Sequence, residues 1–182
     1  MIARPSLHPI GSRLRRIRAR KTLAAASIGL GLIGFAAFAK PAPVLVWNGS
    51  ASAPIGLYGL GLSGPRTGDF VLARLPKMVA QLADQRGYLP RNVPLVKRIA
   101  ALPGEQVCAF NDAIIVGGEI VARRVPVDTQ GRTLPWWNEC RALGRDEVFL
   151  INGQAPGSFD SRYFGPVPAA NIIGRLVPLW TE

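Results

Sequence analysis

The 182-residue sequence is 48% hydrophobic and 18% charged, which excludes an intrinsically disordered chain and fits one folded domain with an appendage. Its formal net charge of +11 is unevenly distributed, because seven basic residues and no acidic residue lie within residues 1–21. The remaining residues carry only +4. The charge therefore belongs mostly to an N-terminal tail, and we predict no nucleic-acid partner for the folded domain.

An uncharged apolar run occupies residues 22–39, directly after the basic tail. As a helix that rises 1.5 Å per residue, it would be about 27 Å long, close to the roughly 30 Å hydrocarbon core of a bilayer. By the positive-inside rule we predict a cytoplasmic tail at 1–21, a single transmembrane helix at 22–39 in a bacterial inner membrane, and a periplasmic domain at 40–182. The alternative is a cleaved signal peptide, since Ala37-Phe38-Ala39 has the form of a cleavage site.

Cysteine and histidine usage narrow the chemistry of the exported domain. Cys108 and Cys140 both lie in it, where disulfides form and persist, and we favour their pairing over two separate buried thiols. The pair would close a loop of about 30 residues and stabilise the fold by about 3–4 kcal/mol. The only histidine, His8, lies in the tail, so the exported domain has no Ser-His-Asp triad, Cys-His pair or His-ligated zinc. We predict no metal and no cofactor, and the base of a hydrolase here must be Lys, Asp or Glu.

A short stretch after the apolar run has the residues of a reactive site: Ser50-Ala51-Ser52-Ala53-Pro54-Ile55-Gly56-Leu57-Tyr58. Pro54 fixes its own φ and biases Ala53 towards an extended conformation, so Ser52 lies on a stiff piece of backbone. Taken alone, such a cluster is first of all typical of a turn or linker, and only the rest of the chain favours the reactive site. Trp47 precedes it and is suited to a membrane interface, which places the stretch near the bilayer surface.

The next segments predict a strand, a helix and a second strand. Gly68–Pro76 is a short β-like run, residues 77–92 begin with helical spacing and break at Gly87, and Val93–Leu102 is an apolar run. This second run contains Lys97 and Arg98, and adjacent strand residues face opposite ways, so one of the two cations points inward. An inward Lys97 would be a buried amine beside Ser52, whereas the alternative is a surface lysine whose stem covers an edge strand.

The rest of the chain alternates short apolar runs with turn residues, which indicates a mainly β fold. A cluster of three different polar groups, Asp160-Ser161-Arg162, lies between aromatic residues and either caps a loop or contributes to a site. We predict a hairpin of 106–110 and 113–116 about Asn111-Asp112, a polar irregular segment at 119–146, a strand at 147–151 and an apolar segment at 171–177.

The order of these short motifs resembles the type I signal peptidase superfamily over residues 22 to 177. The motifs are Ser50-Ala51-Ser52-Ala53-Pro54, Gly68-Asp69, Lys97-Arg98 leading into Leu102-Pro103-Gly104-Glu105, and Asp160-Ser161-Arg162-Tyr163-Phe164-Gly165. Within the superfamily the chain looks most like the TraF-like conjugative-transfer signal peptidases. The features that favour this branch are Ser52 to Tyr58, Arg86 to Pro90, Cys108 soon after Glu105, the small size, and Ala53 where housekeeping leader peptidases usually have Met.

The resemblance implies a signal-peptidase-like β-fold catalytic domain and a membrane-anchored serine endopeptidase. Ser52 is the implied nucleophile and Lys97 the implied general base. Ser50, through its hydroxyl, and the Ser52 N–H are the implied oxyanion donors, Ser161 orients the lysine, and Asp160 is the implied acidic member. A carboxylate near Lys97 would raise the pKa of the amine, so a structural role for Asp160 through Arg162 stays open.

The implied substrate is an exported precursor protein at the membrane. The conjugative branch predicts maturation of a prepilin for plasmid transfer by type IV secretion, with hydrolysis and cyclisation as open outcomes. The alternatives are a general leader peptidase and a non-enzymatic periplasmic assembly or scaffold protein. The S-x-x-K motif of penicillin-binding proteins and the G-x-S-x-G elbow of α/β-hydrolases are missing from the sequence.

Overall fold

The computed structural model describes residues 11–38 and 44–182. The chain divides into two units, Met1–Ala42 and Pro43–Glu182. Residues 1–10 of the predicted tail, His8 among them, lie outside the described residues, as does Ala39 of the alternative cleavage site.

The first unit contains one helix, α1, at Gly11–Phe38. The helix predicted at residues 22–39 is therefore present, and it begins earlier, within the arginine-rich segment, so that Arg18, Arg20 and Lys21 belong to it. In the part of the chain that the structure describes, no helix is both long enough and apolar enough to cross a membrane. The prediction of a transmembrane span is not supported.

The second unit is built from two antiparallel sheets. The strand order of the larger sheet is β1-β2-β11-β3-β4-β9-β10, and the order of the smaller one is β7-β6-β5-β8. The described elements are β1 Leu45–Asn48, β2 Gly56–Leu60, β3 Phe70–Ala73, α2 Lys77–Gln85, β4 Leu95–Ala101, β5 Gln106–Phe110, β6 Ala113–Val116, β7 Glu119–Arg123, β8 Cys140–Ala142, β9 Glu147–Leu150, α3 Ser161–Phe164, β10 Val167–Pro168, a 3-10 turn at Ala169–Asn171, and β11 Ile172–Thr181.

The core is divided among three apolar clusters that meet at the central strand β4, and two of them also include residues of β9. Ala101 and Phe149 pack with the smaller sheet, whereas Ile99 and Leu150 pack with β3 and β10. The third cluster joins Val96 of β4 to the β1–β2 region and β11. Because each fully buried large apolar side chain contributes about 1.5–3 kcal/mol, these clusters hold β4 firmly in place. Any functional residue on β4 is therefore held on a rigid element.

The mainly β prediction is confirmed, and most of the predicted elements are present. The strand at β3, the helix α2 that ends just before Gly87, the strand β4 and the β5–β6 hairpin lie where the sequence indicates them. The segment 119–146 differs, because it contains β7 and β8 instead of being wholly irregular. These two strands pair with β6 and β5 at the edges of the smaller sheet, and such pairing depends on the partner strand more than on local composition.

The two cysteines form a disulfide between β5 and β8. Cys108 lies opposite Cys140 in the register of these strands. β8 is only three residues long. The covalent bond therefore secures a short edge strand that few backbone hydrogen bonds hold.

A fully buried ion pair joins Asp160 to Arg162 beneath α3. The Asp160 carboxylate accepts hydrogen bonds from Arg162 Nε at 2.7 Å and Nη2 at 2.9 Å, and also from the Asn152 N–H at 3.2 Å. The guanidinium donates further bonds to the carbonyls of Arg123 and Asn152. Both charges are thereby compensated where water does not reach them, which is the condition for tolerating a buried pair.

Removing one charge from this pair is expected to destabilise the domain strongly. Asp160→Asn leaves the buried Arg162 guanidinium without a counter-charge, which typically costs about 3–5 kcal/mol of unfolding free energy. The loss of unfolding free energy is measured by urea denaturation, with circular dichroism as the signal. The matched control is Asp112→Asn, whose pair with Arg123 is exposed and should leave the denaturation midpoint nearly unchanged. Equal midpoints for the two variants would contradict the role assigned to the buried pair.

Gly56 is the glycine on which the β1–β2–β11 arrangement depends. Its φ is +151°, and a Cβ built there would lie 2.1 Å from the Trp180 carbonyl oxygen on β11. We expect Gly56→Ala to separate β2 from β11 and to lower the unfolding free energy by about 2 kcal/mol or more. Gly59→Ala, on the same strand, is the control, because its Cβ would meet only the Leu179 side chain at 3.4 Å. Thermal denaturation of both variants tests this, and equal melting temperatures would refute it.

Candidate active site

The Ser52 hydroxyl lies in a tight loop between β1 and β2. β1 ends at Asn48 and β2 begins at Gly56, so residues 49–55 make the connection. Ala53, next to Ser52, is buried in the third apolar cluster together with Tyr58. The restriction that Pro54 places on the backbone and the burial of Ala53 hold the loop from one side. Ser52 itself is partly exposed, as a nucleophile that attacks a peptide must be.

Lys97 reaches Ser52 from β4, 45 positions later in the sequence. Its side chain is 4% exposed, so Lys97 is the inward-facing cation of the pair, and Arg98 is exposed. The Nζ atom lies 3.4 Å from Ser52 Oγ and donates a hydrogen bond to Ser158 Oγ at 2.5 Å. The tertiary structure thus brings a buried amine to the hydroxyl that the sequence singles out.

Burial changes the acid–base chemistry of this lysine. Desolvation lowers the pKa of Lys97 from 10.5 to about 8; the Asp160 charge acts in the opposite direction, while Arg162 lowers the value further. The carboxylate and the guanidinium are themselves paired, so their effects on the amine oppose each other. Lys97 can therefore lose its proton near neutral pH, which an exposed lysine does not do.

The Ser50 hydroxyl lies directly beside the Ser52 hydroxyl. The two Oγ atoms are 2.9 Å apart, and the Ser52 N–H donates to Ser50 Oγ at 3.3 Å. A hydroxyl donor and a backbone N–H therefore lie together next to the candidate nucleophile. This is the type of donor pair that stabilises an oxyanion, and removing one such donor typically slows an acyl transfer about 100- to 1,000-fold.

Asp160 and Ser161 have other hydrogen-bond partners. Asp160 bonds to Arg162 and Asn152, so its effect on Lys97 is through charge. Ser161 Oγ accepts a hydrogen bond from the Leu150 N–H at 3.1 Å and ties α3 to β9. The Ser161 hydroxyl, to which the sequence assigns the orienting role, therefore does not bond to the lysine, and the hydroxyl that does is that of Ser158.

Ser158 is the site residue that sequence reasoning misses. It lies two residues before Asp160 in the same polar cluster, so Ser158 and Ser161 look alike in the sequence. The start of α3 separates them: Asp160 caps the helix, and Ser161 enters its first turn facing β9. Ser158 belongs to the turn before the helix, where its N–H bonds to the Ala155 carbonyl. The one sequence feature that could have indicated Ser158 is its position two residues before the Asp160-Ser161-Arg162 motif.

Two cavities meet at Ser52. The first, of about 490 Å³, contains Lys97 and Ser158 and has a largely apolar wall that includes Val46, Leu95, Val127, Leu134 and Phe159. The second, of about 370 Å³, also includes Ser52 and has a mixed lining, in which Arg98, Asn152 and Gln154 lie beside Ile55 and Phe70. Ser52 is therefore accessible from two adjoining cavities.

Comparison with known proteins shows the family to which the chain is similar. The family model described as "Signal peptidase, peptidase S26" matches residues 17–180. The plasmid transfer protein TraF of Escherichia coli is 31% identical over 179 residues, covering 92% of this chain and 97% of its own. The conjugal transfer protein TraF of Agrobacterium fabrum is 31% identical over 145 residues, covering 74% and 81%. The crystal structure of a signal peptidase I from Enterococcus faecalis superposes with a TM-score of 0.40 at 19% identity, covering 64% of this chain and 100% of that one.

The family assignment rests on the extent of these matches. The family model covers most of the chain, and the Escherichia coli relative aligns over nearly its full length. The resemblance stated from the short motifs is therefore confirmed. The chain belongs to the signal peptidase family, peptidase S26, and is a homologue of the TraF conjugal transfer proteins.

Proposed function

We propose that this protein is a membrane-associated serine endopeptidase in which Ser52 is the nucleophile and Lys97 the general base, acting on exported precursor proteins. The observation that carries the proposal is the 3.4 Å separation of Lys97 Nζ from Ser52 Oγ, with the lysine buried. The two cavities that meet at Ser52 support endopeptidase action, because the substrate chain can continue in both directions.

The proposed reaction begins with a neutral Lys97. Its lone pair takes the proton from Ser52 Oγ while the oxygen attacks the carbonyl carbon of the substrate, and an N–H of the amine donates to Ser158. With a pKa of about 8, about one molecule in ten has the neutral amine at pH 7, against about one in 2,500 for a free lysine. Arg98, the neighbouring cation, cannot serve because guanidinium does not deprotonate.

The oxyanion that forms next needs donors. In the proposal the Ser52 N–H and the Ser50 hydroxyl, which contact each other in the free enzyme, turn to the developing negative charge. The protonated Lys97 then gives its proton to the leaving amine, the C–N bond breaks, and an acyl-enzyme on Ser52 remains. Water or another amine resolves this ester with Lys97 again as the base.

The proposed location is the periplasmic face of a bacterial inner membrane, with residues 40–182 as the catalytic domain. Supporting it are the basic and apolar sequence of residues 1–39 and an exposed apolar surface on β1 and β11. Trp47 and Trp180 on these strands are 60% and 56% exposed, with ring centroids 6.0 Å apart. Amphipathic aromatic rings of this kind favour the interface between water and lipid.

The proposed substrate is a prepilin of a conjugation apparatus. The long alignments with TraF proteins that bear the names "plasmid transfer" and "conjugal transfer" support this choice over a general leader peptidase. Mass spectrometry of a co-expressed pilin precursor distinguishes the two fates of the acyl-enzyme, since the hydrolysed and cyclised products differ by the mass of one water. A chain that cleaves signal peptides of unrelated exported proteins equally well would favour the leader peptidase instead.

Replacing either member of the dyad is expected to abolish processing. Ser52→Ala removes the nucleophile and Lys97→Ala the base, and each should slow precursor cleavage by at least about 1,000-fold. Lys97→Arg should be equally inactive, because it keeps the charge and cannot accept the proton. Cleavage of a co-expressed precursor, followed on gels, measures the loss, and circular dichroism checks the fold.

The matched controls are Ser63→Ala and Lys77→Arg, which change the same residue types at exposed positions and should retain wild-type turnover. Near wild-type cleavage by Ser52→Ala would refute the assignment and favour the scaffold alternative. Activity of Lys97→Arg would mean that charge, and not proton abstraction, is what the site needs.

The pH dependence follows from the lowered pKa of Lys97. Since only the neutral amine is a base, kcat/KM should rise with pH and level off above about 8. The folded pKa lies below the unfolded one, so the unfolded chain binds more protons between these values. The free-energy cost of burying the charged Lys97 is therefore full below pH 8 and disappears as pH rises towards 10.5, the ordinary pKa of the amine.

The profile is measured on a peptide spanning the cleaved bond from pH 6 to 10 in buffers of constant ionic strength. Asp160→Asn, assayed at a temperature where it is folded, should move the rising limb to lower pH, because the Asp160 charge raises the pKa of Lys97. A wild-type profile in which kcat/KM rises only near the pKa of a free lysine would contradict the buried-base mechanism.

A further inference from the structure

Two buried asparagine side chains, Asn48 and Asn152, lie on opposite sides of the candidate dyad. Each is 6% exposed, and the side chain of each bonds to backbone groups. A buried amide with all its bonding groups used is a rigid connection, because breaking any one bond leaves a polar atom unsatisfied. The backbone segments to which these two amides bond are therefore fixed in position.

Asn48 holds the loop that carries Ser52. Its Nδ2 shares its two hydrogens among the carbonyls of Ser50 at 3.0 Å, Ala53 at 3.1 Å and Pro54 at 3.0 Å. Its Oδ1 accepts from the Ser50 N–H at 3.2 Å. The contacts lie before and after Ser52, so this one side chain closes the loop around the nucleophile where the β1–β2 ladder has ended.

Asn152 holds the strand segment that carries Lys97. Its Oδ1 accepts from the Arg98 N–H at 2.9 Å, and its Nδ2 donates to the Val96 carbonyl at 3.1 Å. These are the two neighbours of Lys97 in β4. The side chain thus continues the β4–β9 pairing beyond the backbone ladder, whose last pair on this side is Ile99 with Leu150.

The backbone of Asn152 is attached in turn to the buried ion pair. Its N–H donates to Asp160 Oδ2 at 3.2 Å, and its carbonyl accepts from Arg162 Nη2 at 2.8 Å. A continuous set of hydrogen bonds therefore runs from Asp160 and Arg162 through Asn152 to the backbone on both sides of Lys97. Asp160 reaches the base in this way without a direct bond to the amine.

We infer that Asn48 and Asn152 are positioning residues for the dyad, Asn48 acting through the Ser52 loop and Asn152 through the Lys97 strand. The inference rests on the proposed function. Its physical basis is the need for close approach: Nζ and Oγ are 3.4 Å apart and proton transfer needs about 2.6–3.2 Å. A misplacement of about 1 Å can slow a reaction about 100-fold.

The two residues should give different kinetic signatures. Asn48→Ala frees the Ser52 loop, so kcat should fall about 10- to 100-fold, while KM changes little and the pH limb stays near 8 because Lys97 remains buried. Asn152→Ala leaves the Val96 carbonyl and Arg98 N–H unpaired and admits water to β4. Its kcat should also fall, and its pH limb should move to higher pH, because desolvation is what lowers the pKa of Lys97.

Steady-state kinetics with the whole 182-residue chain and a precursor peptide test this. Asn171→Ala is the matched control, because Asn171 donates to the Arg74 carbonyl and lines neither cavity that meets Ser52; it should keep wild-type kcat and pH profile. If Asn48→Ala does not fold, Asn48→Asp replaces it, since it keeps the acceptor for the Ser50 N–H and loses the donors. Variants that melt earlier yet keep wild-type kcat and pH limb would overturn the inference.

A readout that needs no turnover separates this inference from the proposed function. The Nζ resonance of Lys97, identified by its loss in Lys97→Arg, is titrated by NMR, and Ser52 is labelled with a fluorophosphonate. We expect a raised pKa of Lys97 in Asn152→Ala and slower labelling in Asn48→Ala. If the wild type cleaves no precursor, the proposed function fails while these two results still support positioning. An unchanged pKa in Asn152→Ala together with an unchanged labelling rate in Asn48→Ala refutes positioning, whatever the turnover.

Discussion

Desolvation of the Lys97 amine is the constraint on which the site depends. An ammonium ion buried without a counter-ion costs several kcal/mol, so burial shifts the protonation equilibrium of Lys97 towards the neutral amine and lowers its pKa to about 8. The hydrogen-bond partners of Lys97 in the described residues are two serine hydroxyls, which tolerate either protonation state. Asp160 does not undo this effect, because its carboxylate is paired with the equally buried Arg162.

The architecture around Lys97 keeps the amine buried and in place. β4 lies between β3 and β9, and apolar clusters cover it on both sides of the sheet. The Asp160–Arg162 pair holds the segment after β9 in place. Asn152, which bonds to Asp160 through its backbone, bonds to the backbone of β4 through its side chain. On the opposite side, the loop of Ser52 depends on Asn48 and on the close contact of Gly56 with β11. The residues that stabilise this part of the fold therefore also fix the positions of Ser52 and Lys97.

Much of the fold follows from local sequence signals. Apolar runs bounded by Gly, Pro and Asn are enough for β3, β4 and the β5–β6 hairpin, and Gly87 marks the end of α2. The strands β7 and β8 escape detection because β7 has only three apolar residues between Glu119 and Arg123 and β8 is three residues long, so that both depend on pairing with their partners at the sheet edges. Ser158 and the two asparagines escape for a related reason: their role depends on where their side chains point.

The sequence by itself determines the class of chemistry available. A domain without histidine that places a serine before a proline and a lysine inside an apolar run has few other ways to activate a nucleophile. Only the tertiary structure decides that Lys97 faces inward, that it meets Ser52 across 45 positions, and that Ser158 rather than Ser161 receives its hydrogen bond. The physical reason is that strand register and helix capping set the direction of each side chain, and both arise from contacts between segments far apart in the chain.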